Sequence, residues 1–262
     1  MPKESSMETL VSLSHLQATM EHDLARVKRW NQFQESNDAR PQTTLAHTAS
    51  IMLAAIVVVN AEQRHNPRPF NAGWIYETVA LHDLGEMCRA DDGCDVLFPN
   101  KSTQTDKDEI VFFDKTASPL PIPIRELFRS RYLTQFFTHA DLLSEEQKEL
   151  VLRGTSHEEV EFLFLIFDAI EKYDYLLFAY NEFRTKGNEC ILVSMLRTNY
   201  SRLIELACTL PGFGQEVINP DVSSFASHLL AKWDGVEINQ IPDRFAPKKA
   251  TPSDPLRDDK SA

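Results

Sequence analysis

The sequence predicts an all-α protein. Three observations carry this reading. Helix-period apolar patterns run through most of the chain, strand-like alternation is almost absent, and only eight of the 262 residues are glycine. Helices are expected over 7–30, 42–63, 72–88, 122–137, 144–153, 157–185, 189–209 and 221–233. The first is amphipathic and ends on Lys28-Arg29-Trp30. In the second, His47, Ile51, Ala54 and Val58 share one face, which points that histidine inward. The third ends in "ALHDLGE", residues 80–86. Segment 89–121 is acidic and polar, with prolines toward its end. It reads as a long loop insertion of the kind that serves as a lid. The next two helices rest on period alone. In the seventh element in order, 157–185, Asp174 shares a face with Phe167, Ile170, Leu177 and Phe178, and Asp168 shares one with Phe164 and Leu165. The last two again rest on period.

A hydrophobic content of 42% suits a single domain over 1–240. Residues 241–262 hold four prolines and few apolar side chains, and read as a disordered tail. The net charge is −12 and no basic stripe is present, which argues against long nucleic acids and anionic membranes as partners. The run "SIMLAAIVVVNA" reads as too short to span a bilayer, and the first residues lack signal-peptide features. Four cysteines without a CxxC fit reduced thiols in a cytoplasmic protein better than a disulfide framework or a structural zinc site.

The adjacent pair His82-Asp83 raises a geometric question. Neighbours on a helix point about 100° apart. Two such side chains converge only on something compact, and a metal ion fits. A catalytic metal needs three or four protein ligands from different elements. His47 on an inward face and an inward aspartate, Asp174 or Asp168, are the other candidates. An aspartate on an apolar face is costly unless it is paired or holds a metal.

The order His47, His82-Asp83, Asp174 resembles the H…HD…D ligand pattern of the HD-domain metal-dependent phosphohydrolases, over roughly residues 20–210. It is most similar to their bacterial 5′-deoxynucleotidase branch. The gap from His47 to His82 is 82 − 47 = 35 residues, Glu86 follows the histidine by four, and Arg29-Trp30 precedes the first ligand. The resemblance implies a helical HD bundle, with one divalent transition metal (Mn²⁺, Co²⁺, Fe²⁺ or Zn²⁺, Mg²⁺ being allowed) on His47, His82, Asp83 and Asp174. It further implies Glu86 beside the attacking water, Asp91 as a second acidic catalytic residue, and Arg29 and Trp30 as nucleotide contacts. Asp91 falls at the branch's offset, but "DGCDVLFPNK" follows in place of a Leu-Pro-Thr-Pro-like turn. Lys172 precedes Asp174 by two residues where the branch has about three, so Asp168 stays open as the last ligand.

The expected function is hydrolysis of (deoxy)nucleoside 5′-monophosphates, with a homodimer allowed. Two bases of alternatives remain at this level. One is a deoxynucleoside triphosphate triphosphohydrolase using Lys101, Lys107, Lys115, Arg125, Arg129 or Arg131 for the phosphate tail. The other is a nucleotide-binding HD protein without catalysis. A dinuclear site would need His139 and His157 as further ligands.

Overall fold

The computed structural model describes residues 6–29, 42–91, 101–139 and 141–241. Trp30, residues 92–100 of the expected loop and the expected tail from 242 onward lie outside the described residues. Those described form helices and turns, without a β-strand, so the chain is all-α as its periodicity predicts. The helices are α1 (Ser6–Asp23), α2 (Thr44–His65), α3 (Ala72–Leu81), α4 (Thr103–Ala117), α5 (Ile122–Thr134), α6 (Glu145–Leu152), α7 (His157–Lys186), α8 (Glu189–Thr209) and α9 (Pro220–Lys232). A 3-10 turn, Leu84–Arg89, follows α3, and a π turn, Phe213–Val217, follows α8.

α7 is the axis of the bundle. At 30 residues it is the longest element described, and it packs against α2, α3, α5, α6 and α8. Its buried Val160, Leu163, Ile166, Phe167 and Ile170 recur at helical spacing and supply one wall of the core. α2 lies against it with Ile51, Ala54, Ala55, Val58 and Val59 fully buried. By length and composition α2 is long and apolar enough to cross a membrane, although its apolar run alone is shorter. Polar turns at both ends extend that run to 22 residues. Leu53, Ile56 and Val57 are exposed on its outer face.

Three boundaries differ from the periodicity. α1 stops at Asp23 rather than near 30, although Leu24 and Val27 stay buried. Beyond it the backbone pairs with the entry to α2. Arg29 donates its amide hydrogen to the Gln42 carbonyl at 2.7 Å, Thr44 donates to Val27 at 2.9 Å, and Lys28 and Thr43 form an antiparallel bridge. α3 stops at Leu81, not 88, and the chain tightens into the 3-10 turn. The segment read as a loop over 89–121 contains α4, opened by a capping box between Ser102 and Thr105. Its inward stripe of Ile110, Phe113 and Ala117 packs on the 3-10 turn.

Candidate metal centre

The turn after α3 answers why His82 and Asp83 converge. His82 still has helical angles, while Asp83 sits at φ −91°, ψ 0°. That sparsely populated bridge region swings its side chain out of helical register and onto the same side as the histidine. Gln135 of α5 donates to the His82 carbonyl at 2.8 Å and pins the turn. Gly85 is required by closeness. A Cβ there would stand 2.1 Å from the Tyr132 hydroxyl and 2.9 Å from the Glu109 carbonyl. The glycine of "HDLGE" therefore lets α4 and α5 press against the turn.

Three buried side chains meet here: His47 from α2, and His82 and Asp83 from the turn, with donor atoms all within 4.8 Å of one another. The two Nε2 atoms are 3.3 Å apart. Asp83 places Oδ1 3.1 Å from His82 Nε2 and Oδ2 3.5 Å from His47 Nε2. The far nitrogens decide the tautomers. His82 Nδ1 lies 2.7 Å from the Val79 carbonyl, which only accepts, so Nδ1 carries the hydrogen. His47 Nδ1 lies 2.8 Å from Asp174 Oδ2 and donates to that carboxylate. In neutral rings both Nε2 atoms are then bare lone pairs aimed at one another and at a carboxylate. Burial, only partly offset by the neighbouring Asp83, pushes His82 below the ordinary histidine value of 6.5, which favours the neutral ring. For Asp83 burial acts upward, but the positive charge that His82 and His47 carry when protonated, with that of the Arg29 guanidinium, outweighs it and holds the carboxyl below its ordinary range. Two imidazoles with outer nitrogens committed to a carbonyl and a carboxylate, facing one carboxylate, are the donor set that suits a divalent transition metal.

Asp174 is brought to the centre, but on the outer side of His47, where Ser50 Oγ also donates to its Oδ1 at 2.9 Å. Asp168 is not. It accepts from Arg202 Nε at 2.7 Å, with Lys172 Nζ 3.6 Å away. Glu86 is buried one turn after the pair and accepts from Thr44 Oγ1 at 2.9 Å. Arg29 is 2% exposed. Its Nη1 stands 3.5 Å from both Asp83 and Glu86, and its Nη2 donates to the Tyr175 hydroxyl at 3.2 Å. Asp91 is exposed, and among the described residues it makes no hydrogen bond or ion pair to the centre. His157 pairs with Glu161 at the surface and exposed His139 packs its ring on Phe136 and Phe164, so neither joins.

Sequence reasoning missed Glu171 and Tyr175. The Tyr175 hydroxyl donates to Glu171 Oε1 at 2.9 Å, and Lys172 Nζ approaches Oε2 at 3.2 Å. Burial would raise the Glu171 carboxyl, but Lys172, His82 and Arg29 hold it well below the carboxylate range. The spacing carried a signal: Glu171 lies three residues before Asp174, on the same face of α7. Compared with known proteins, the chain matches no family model, and no curated protein or solved structure matches at a significant level.

Proposed function

We propose that the chain is a metal-dependent phosphohydrolase of the HD-domain kind that acts on nucleotides, with 5′-monophosphates as substrates. One observation carries the reading: two bare Nε2 atoms 3.3 Å apart, each with its Nδ1 committed elsewhere, face the Asp83 carboxylate. His47, His82 and Asp83 would hold the ion. When bound, a divalent metal lowers the pKa of a coordinated water and polarises a phosphoryl oxygen.

The chain's own groups cover the remaining needs. Glu86 is within reach of the same face, held by Thr44, and can orient the nucleophilic water or pass a proton to the leaving oxygen. Arg29 lies between Asp83 and Glu86 at 3.5 Å from each, contacts long enough to be exchanged for a phosphate oxygen. Three of the six basic residues suited to a triphosphate tail are held by acidic partners. Arg129 pairs with Asp114 at 2.7 and 2.9 Å, Arg131 with Glu77 at 2.6 Å, and Lys101 with Glu109 at 2.8 Å. That favours the monophosphate over the triphosphate reading.

Phosphate and triphosphate release should be measured on a panel of nucleoside mono- and triphosphates with Mn²⁺, Co²⁺, Mg²⁺ and Zn²⁺. Inorganic phosphate from a monophosphate supports the proposal. Tripolyphosphate from a triphosphate moves it to the other substrate class, and binding without turnover under every metal refutes catalysis.

A further inference from the structure

His47, His82 and Asp83 would supply three ligands to an ion, and α7 packs against both α2 and α3, the helices that carry or lead into them. The geometry points to Glu171 as the side chain that completes the protein ligands, with Asp174 as the positioning residue that orients His47. The inference rests on the metal-centre reading above and assigns its fourth position.

Asp174 is excluded by the ring it serves. Nδ1 and Nε2 point away from each other across an imidazole. An oxygen bonded to Nδ1 therefore lies far beyond bonding distance of an ion on Nε2. Oδ2 of Asp174 is on Nδ1 at 2.8 Å, and Oδ1 is held by Ser50. A carboxylate on the outer nitrogen fixes the tautomer and the ring's direction, as metal-bound histidines commonly require.

Glu171 projects from the next turn of the same helix face and is tied to the open side. Tyr175 joins its Oε1 to Arg29, and Arg29 reaches Asp83. Exposure separates the two acids. The Asp174 side chain is 3% accessible, sealed behind His47, whereas that of Glu171 is 22% accessible and open to solvent. Tyr175 and Lys172 occupy one lone pair on each Glu171 oxygen, and an ionised carboxylate has about four. The compact donor group among the described residues is His47, His82 and Asp83. Glu171 joins it by rotation about its own side-chain bonds.

The test is Co²⁺ titration of the full chain, read by metal stoichiometry and by the visible d–d bands, on the wild type, Glu171→Gln, Glu171→Asp, Asp174→Asn and His82→Ala. The wild type should bind about one ion per chain and His82→Ala none. Glu171→Gln should shift the bands and weaken Co²⁺ binding by more than about 100-fold. Asp174→Asn should keep the band positions and lose about 10–100-fold, the range for an outer partner. Wild-type bands and affinity in Glu171→Gln would overturn the assignment, as would displaced bands in Asp174→Asn alone. Should Glu171→Gln fail to fold by circular dichroism, Glu171→Asp decides: its shorter reach should move the bands, and unmoved bands overturn the assignment. A wild type that takes up no Co²⁺ removes the metal centre itself. A wild type that binds Co²⁺ but releases no phosphate removes only the proposed activity.

Discussion

Arg29 is the residue whose loss should be felt in two ways. It is the buried cation beside Asp83 and Glu86, and it also reaches Glu171 through Tyr175. Removing one partner of a buried charge cluster typically costs about 3–5 kcal/mol. Arg29→Ala should lower the urea midpoint of the metal-free protein by a shift of that order. Saturating Mn²⁺ should recover much of the loss, because the ion replaces the missing positive charge. Equal deficits with and without metal would show that Arg29 acts through packing alone. Glu86→Ala should behave differently, keeping bound metal while losing turnover by about 10²–10⁴, the usual effect of deleting a positioned acid or base. Gly85→Ala tests the packing of the turn. A Cβ 2.1 Å from the Tyr132 hydroxyl should destabilise by about 1–3 kcal/mol, as overpacking does. That hydroxyl is buried, with no hydrogen-bond partner among the described residues, so Tyr132→Phe should be nearly neutral. Paired with Gly85→Ala it should restore part of the stability, leaving the clash with the Glu109 backbone.

At the scale of elements, the helices that bury a broad apolar stripe were legible, and the exceptions have physical causes. α4 was read as loop because its first turns, "TQTDKDE", are polar and only three apolar residues along its length, Ile110, Phe113 and Ala117, are buried, beside the buried Glu109. The capping box that starts it was present in the sequence, but its third position is Thr105 rather than glutamate or glutamine. Ser102→Ala should cost about 1 kcal/mol, measured as a lowered melting temperature. α1 was drawn too long because buried Leu24 and Val27 continue its period after the backbone has left it for the entry of α2. The centre shows the same pattern. His47, His82 and Asp83 were legible because residue order and face define them. The division of labour between Glu171 and Asp174 was not, because it depends on which side of the His47 ring each acid occupies.

Across the whole molecule, α7 couples the core to the centre, since the helix that buries Ile166 and Ile170 also presents Glu171 and Asp174. Folding and the charge state of the centre are therefore linked. Burial holds His82 below 6.5, so in the metal-free protein the native state resists a proton that the unfolded chain accepts. The stability linked to this ring is fully present above 6.5 and is lost as pH falls from there toward the depressed native value. Urea unfolding of the metal-free protein should show a midpoint that declines below that pH, with a smaller decline in His82→Gln. A midpoint flat through this window would mean that the ring is protonated in the native state.

The clip formed by Lys28 with Thr43 and by Arg29 with Gln42 separates two kinds of sequence change. Both chain ends are fastened beside the centre before position 30 and after position 41. Whatever length of chain runs between them, the guanidinium is held by the clip itself. Lengthening that stretch should cost only about 0.6 kcal/mol per doubling, the slow growth of loop-closure entropy. The joining stretch can thus diverge in sequence or accept an inserted peptide, while the buried Arg29 keeps its place beside Asp83 and Glu86. The length of that stretch and the retention of the buried charge would then be separable traits, open to independent change by evolution or by grafting.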